Sequence, residues 1–355
     1  MEDHTTPSID VIQVGIGGMG NAWLKAIEAS PNVGIAALVE IDDSVAEAQC
    51  EQYGLDRTRV FRSLDAALAA TKADGVINVT PPQFHEAVSI MALAAGVPVL
   101  SEKPLADTLE AAQAIVRKAN ETDVLHMVAQ NRRYSIPALT LKQVIDSGYL
   151  GAVGSVSVEF YRGPHFGGFR EVMPYPLVVD MAIHHFDMMR YFLGRNATSI
   201  HGQSWNPPWS WYDGDASTAL LLEFQDSLPV TYQGSWCSTA AETSWNGHWR
   251  FECENGVIVM RDDQVYVYYS LGDWPEPEAV SRSGSNDAYL VTPVQAKLTD
   301  QAYLLNEFYE AITTGRTPET TAQDNIHSLA IVFAALRSFA TNGVVEIDAL
   351  LQPPA

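Results

Sequence analysis

Positive charge is scarce in this sequence: 21 Lys and Arg stand against 43 Asp and Glu in 355 residues, a formal net charge of −22. Nucleic acid and anionic membrane surfaces are recognised by clusters of Lys and Arg, so neither is an expected partner. Cysteine is rarer still. The three present, Cys50, Cys237 and Cys253, are far apart and form no CxxC pair. Neither a disulfide framework nor a zinc site is expected, no metal is assigned, and a reducing cytoplasm fits. No apolar run reaches membrane-spanning length, and the stretch from Met1 to Ser8 is polar and acidic, unlike a signal peptide. Internal repeats and low-complexity linkers are also lacking. What is present is ample apolar material, 47% of residues, in a chain long enough for two domains.

The first distinctive segment is an apolar strand, Ile9 to Val14, running into Gly15-Ile16-Gly17-Gly18-Met19-Gly20. Glycines allow a sharp exit from the strand, contact between a pyrophosphate and bare backbone, and a helix packed close to a sheet. Backbone N–H groups and the helix dipole then hold the phosphates. A helical pattern follows over residues 21–29, then a second buried-strand run, Val33 to Val39, closes a βαβ unit. Glu40 ends that strand, where a carboxylate accepts hydrogen bonds from an adenosine ribose. It would repel the extra phosphate of NADP, and Ile41 beside it supplies no guanidinium, so NAD is the expected cofactor.

Strand and helix keep alternating. Helices are expected near 43–53, 64–71, 84–95 and 109–119, with strands at 60–61, 75–79, 97–100 and 124–129, a doubly wound parallel sheet of Rossmann type. From about residue 150 the period changes: 153–161, 219–224, 230–236, 249–254, 257–260 and 265–269 read as successive strands of a large, mostly antiparallel sheet. Helices near 135–147, 177–193, 299–314 and 322–340 pack on it or bridge back. The fold class is therefore α/β, with a dinucleotide domain over 1–131 and a C-terminal α/β domain for substrate and oligomerisation over 132–355.

Two further segments carry chemistry. Glu102-Lys103-Pro104 follows a parallel strand directly, at the edge where open α/β sheets place ligands. A lysine there can reach a substrate hydroxyl and stabilise negative charge as the proton leaves. In the second, a helical reading of Asp180 to Asp187 sets Asp180, His184 and Asp187 at i, i+4 and i+7 on one face. The aspartate then orients the His184 imidazole as a proton acceptor, while His185 points about a quarter-turn away.

Taken in order, the glycine turn, Thr80-Pro81-Pro82-Gln83-Phe84-His85, Glu102-Lys103-Pro104, Asn131-Arg132-Arg133-Tyr134 and Asp180-x-x-x-His184-x-x-Asp187 resemble the Gfo/Idh/MocA oxidoreductases over almost the whole chain. The resemblance implies a Rossmann domain followed by an α/β domain whose open sheet often forms an oligomer interface, here a dimer or tetramer. By position Lys103 matches the family's catalytic lysine, and Asp180 with His184 its acid/base pair. Gly15, Gly17, Gly18, Met19, Gly20, Glu40 and Ile41 would contact the adenosine and pyrophosphate part of NAD. Thr80, Pro81, His85, Glu102 and Lys103 would lie along its nicotinamide half, and Arg132 would face the substrate. A cis bond before Pro104 is left open. One departure is Pro176-Leu177-Val178-Val179 before Asp180, where many members carry glycines.

The expected activity is NAD-dependent oxidation of a secondary hydroxyl on a sugar, sugar derivative or inositol-like polyol. Either Lys103 or His184 is the ultimate base, since the two would titrate as a pair. Tyr161, Arg162 and His165 are further substrate candidates, and Arg162 in the pocket would favour a carboxylated sugar. The Pro-rich loop from Trp205 to Trp211 could supply flat faces for a sugar ring, although most of the tryptophans are expected in cores or interfaces. Two alternatives stand beside the dehydrogenase: a redox-neutral enzyme that retains NAD and cleaves glycosides by oxidation and elimination, and a non-catalytic NAD-dependent sensor.

Overall fold

The computed structural model describes residues 8–275, 280–283 and 288–352, the middle segment by its backbone alone; the acidic N-terminal stretch 1–7 lies outside the described residues. By its internal contacts the chain divides into two compact units, Met1–Asn131 with Leu298–Ile326, and Arg132–Lys297 with His327–Ala355.

The first unit is built on β1 (Ile9–Val14), β2 (Val33–Val39), β3 (Val60–Phe61), β4 (Gly75–Asn78), β5 (Val99–Ser101) and β6 (His126–Val128), in the order β3-β2-β1-β4-β5-β6. Every pairing is parallel. Helices α1 (Gly18–Glu28), α2 (Asp43–Tyr53), α3 (Leu64–Ala70), α4 (His85–Ala94) and α5 (Leu109–Thr122) connect successive strands. Local chemistry sets their ends. Asp42 caps α2 by accepting from the N–H groups of Ser44 and Val45, and Gly54 stops it in the left-handed region at φ 60°. The later segment of the unit returns to this sheet: Val128 N–H donates to Thr320 O at 2.8 Å, and Phe308 of the helix Asp300–Thr314 lies where a Cβ on Gly75 would meet its ring at 2.8 Å. Only a residue without a side chain lets that ring approach the strand.

The second unit holds a ten-stranded sheet. Its strands are β7 (Val153–Tyr161), β8 (Ala197–Trp205), β9 (Ser217–Phe224), β10 (Leu228–Ser235), β11 (His248–Cys253), β12 (Gly256–Arg261), β13 (Gln264–Tyr269), β14 (Val280–Ser283), β15 (Ala288–Val291) and β16 (Val345–Glu346), in the order β14-β15-β13-β12-β11-β7-β10-β9-β8-β16. Only β7 and β10 pair in parallel. Alternation sorts the two faces. Val156, Val158 and Phe160 of β7 with Val230 and Tyr232 of β10 are buried, whereas Ser157, Glu159, Thr231 and Gln233 are exposed. Helix α6 (Ile136–Asp146) and helix α7 (Ile183–Leu193) belong to this unit, and α7 covers the buried face, Phe186 meeting Tyr232 and Phe192 meeting Trp249 edge-on at 5.6 and 5.2 Å between ring centres.

Both halves of the expected fold class are therefore present, with local corrections. Trp205, expected in a Pro-rich loop, is the last residue of β8, a strand the polar run Thr198-Ser199-Ile200-His201-Gly202-Gln203-Ser204 conceals. Residues 177–182, expected to continue the α-helix of 183–193, form a π-helix instead.

Candidate active site

The glycine turn fits a pyrophosphate on structural grounds. Gly15 has φ 85°, and a Cβ on it would meet Val79 O at 2.7 Å, so strand and turn are packed against β4's exit. A Cβ on Gly20 would meet Gly15 O at 2.4 Å. At Gly17 and Gly18 the situation is reversed, for nothing lies within 4 Å of the added atom. Bare backbone thus faces open space at the start of α1, and α1 has no side-chain cap and no acid in its first turn. Helix N-terminal N–H groups in that state attract phosphate. Beneath the turn, buried Gln13 donates from Nε2 to Gly15 O at 3.1 Å and to Gly20 O at 2.8 Å. Its polarity inside a buried strand was the signal that sequence reasoning passed over.

Glu40 closes the turn from the side. Its Oε2 accepts from Ile16 N–H at 3.1 Å, and its Oε1 from Ile41 N–H at 2.8 Å and Asp42 N–H at 3.0 Å. Met19 and Ile41 are exposed at the same end of the sheet.

The residues expected along the nicotinamide half of NAD sit on the loops after β4 and β5. Buried Asn78 accepts from Thr80 Oγ1 at 2.7 Å, which shapes the Thr80-Pro81 turn. His85 is fully buried, Nδ1 lying 2.8 Å from Pro104 O and Nε2 2.8 Å from Thr80 O. Its ring offers no surface to a ligand; it ties the Thr80 loop to the Lys103-Pro104 loop, whose peptide bond is cis. Burial pushes the His85 pKa below its ordinary value, against the pull of the two carbonyls and Asp107. Glu102 accepts from the Trp23 indole N–H of α1 at 2.7 Å and from Lys103 N–H at 3.1 Å. Burial raises the Glu102 carboxyl above the usual range in spite of those bonds and of the Lys103 charge. Lys103 itself stands at the carboxyl end of β5, tied by backbone to a carboxylate that Trp23 of α1 also holds.

In the second unit Asp180 lies within the π-helix Leu177–Ala182, and His184 in the first turn of α7. The i→i+5 pattern makes a wider turn than the α-helix expected there, and π segments of this kind are frequent at functional sites. Asp180 Oδ2 accepts from Arg170 Nε at 2.6 Å. That guanidinium also lies 5.2 and 4.7 Å from the ring centres of Phe166 and Phe169. Arg170 was missed because the loop that carries it shows no pattern in the sequence.

Asp187 turns to the core, accepting from Arg133 Nε and Nη2 at 2.6 and 2.7 Å and from Ser328 Oγ at 2.8 Å. Replacing Asp187 by Ala strands a buried guanidinium and is expected to lower unfolding free energy by about 3–5 kcal/mol, read by denaturant titration. His185 is also interior, its ring 4.7 Å from that of Phe160, and burial lowers its pKa to about 3.

The other substrate candidates separate. Arg162 is engaged by Glu242 Oε2 at 3.3 Å, donates to Thr243 O at 3.0 Å and lies over Trp245, which weakens the case for a carboxylated sugar. His165 stacks on Trp211 at 3.8 Å. Arg132 reaches Asn246 Oδ1 at 3.5 Å. Tyr161 is half-buried, and burial with Glu159 raises its pKa. Exposed Phe166, Phe169 and Trp209 add flat apolar surface within this unit. Among the described residues no group of His, Cys, Asp or Glu is placed to hold a metal ion, and no helix is long and apolar enough to cross a membrane.

Comparison with known proteins agrees with this arrangement. Residues 9–130 match the model of the oxidoreductase family with an NAD-binding Rossmann fold, and residues 138–259 that of the GFO/IDH/MocA C-terminal domain. The chain is 28% identical over 353 residues to scyllo-inositol 2-dehydrogenase (NAD(+)) of Bacillus subtilis, covering 94% of this chain and 95% of the relative. It is 26% identical to D-apiose dehydrogenase of Rhizobium rhizogenes, covering 95% and 97%. An oxidoreductase from Agrobacterium radiobacter, solved with NAD+, L-tartaric acid and magnesium, shares the fold at a TM-score of 0.86 and 22% identity, covering 97% of this chain and all of that one. With both family models spanning more than half of its length, the chain belongs to the Gfo/Idh/MocA family of NAD-binding oxidoreductases.

Proposed function

We propose that this oxidoreductase oxidises a secondary hydroxyl of a sugar, sugar derivative or inositol-like polyol, with Lys103 and the Asp180/His184 pair handling the proton. The observation that carries the reading is Lys103 at the carboxyl end of β5, next to a Glu102 bound to the Trp23 indole of the phosphate helix. A lysine at that strand end, in the same unit as the open glycine backbone that suits NAD, supports the reading. NAD supplies the hydride acceptor. Lys103 stabilises negative charge on the substrate oxygen as its proton leaves. His184 takes that proton, and Asp180, itself steadied by Arg170, keeps the imidazole oriented. The relatives named as inositol and apiose dehydrogenases support a polyol or sugar as substrate.

The exposed face of the ten-stranded sheet, with Leu221 54% and Trp205 41% exposed, suits a homo-oligomeric interface. The three free cysteines suit a reducing cytoplasm. A panel of inositols, free sugars, sugar acids and glycosides, followed by NADH absorbance, tests the activity. Lasting NADH formation with one polyol or sugar class is expected. Glycoside cleavage without net absorbance change would replace the reading by the redox-neutral one, and NADH binding without turnover on any class by the sensor.

A further inference from the structure

The strand-end carboxylate Glu40 has cationic neighbours that the chain brings from beyond α2. Arg62 Nη2 donates to Ile41 O at 2.8 Å, one residue from the carboxylate that accepts from Ile41 N–H. Its Nη1 is 2.9 Å from Asp43 Oδ2, while Arg57 Nη2 is 2.9 Å from Asp43 Oδ1. Two guanidiniums therefore share one carboxylate beside the ribose-binding acid. Side-chain exposures of 65% and 47% for the arginines and 71% for Asp43 put all three in water. Ion pairs this exposed contribute little, so the arrangement is easily exchanged.

A phosphate dianion offers guanidinium groups the same paired oxygens as a carboxylate, with more charge. We propose that Arg57 and Arg62 form a latent site for the 2′-phosphate of a dinucleotide, kept closed by Asp43. The proposal rests on the dinucleotide reading of the glycine turn and goes beyond it, because selectivity then belongs to two carboxylates. Glu40 meets the ribose; Asp43 occupies the arginines and adds its own repulsion. Asp42 takes no part, since its carboxylate caps α2 through Ser44 and Val45. Ile41 is thus not the position that decides whether a guanidinium is at hand.

The test is binding, followed by energy transfer from tryptophan to the reduced nicotinamide, and needs no substrate. NADH and NADPH are titrated into the wild-type chain, Asp43→Asn, and Asp43→Asn combined with Arg57→Ala or Arg62→Ala. Asp43→Asn is expected to improve NADPH binding relative to NADH by about tenfold, with NADH itself little changed. The gain should shrink with added salt and vanish when Arg62 is removed. An unchanged NADPH-to-NADH ratio in Asp43→Asn, or a gain that survives Arg62→Ala, overturns the proposal. Absence of NADH binding to the wild-type chain would instead overturn the dinucleotide reading beneath it.

Discussion

Replacing Lys103 by Ala is expected to lower kcat by about a hundredfold to ten-thousandfold and NADH affinity much less. The split follows from where the residue stands. In the proposed reading the phosphates meet Gly17, Gly18 and the start of α1, and the ribose meets Glu40, none of which includes the Lys103 side chain. Lys103→Arg then separates two roles. Arginine retains the positive charge but does not deprotonate in proteins, so it can stabilise an alkoxide and cannot serve as a base. Partial activity in Lys103→Arg with loss in His184→Asn assigns the base to His184; loss in Lys103→Arg equal to that in Lys103→Ala assigns it to Lys103. Wild-type turnover in Lys103→Ala would remove this residue from the chemistry altogether.

What could be read in advance follows from how local each feature is. The Rossmann half was legible because its signals are short-range: a strand, glycines with defined backbone tasks, and a helix such as α2 bounded by Asp42 and Gly54. Strand β8 was hidden because its sequence is polar and its pairing comes from β9 and β16 on either side. The π-helix at Asp180 leaves no trace in hydrophobic period. Long-range partners were invisible for a simpler reason. Arg133 and Asp187 are 54 positions apart, and Trp23 and Glu102 79 apart, so only the folded chain pairs them. Arg62 shows the cost of local reading most clearly: the absence of Arg at position 41 suggested that no guanidinium was near, yet one binds the carbonyl of that residue.

Acidification between about pH 6.5 and pH 5 is expected to destabilise both units, through His126 and His85 in the first and His185 in the second. His126 is buried with Nε2 2.9 Å from Ser89 Oγ, and burial, aided by repulsion from His85, lowers its pKa to about 3. His185 is lowered to about 3 by burial, with Arg132 opposing its charge further and the Trp245 carbonyl pulling the other way. Both folded-state values lie below the ordinary 6.5, so the unfolded chain binds protons that the folded chain refuses. The stability these neutral rings contribute is complete above pH 6.5 and is lost as pH falls toward 3. His126 and His185 each cost about 1.4 kcal/mol per pH unit, or about 2 kcal/mol by pH 5, a large share of a typical 5–15 kcal/mol. Most carboxylates titrate lower, near pH 4, so relief of the −22 charge does not mask the effect in this window. Glu102, raised by burial, works in the opposite sense and softens the slope in the first unit. Thermal midpoints measured from pH 7.5 to 5 should therefore fall, and His126→Gln or His185→Gln should flatten the slope for its own unit. A midpoint independent of pH across this range would show that these rings are not held neutral in the folded protein.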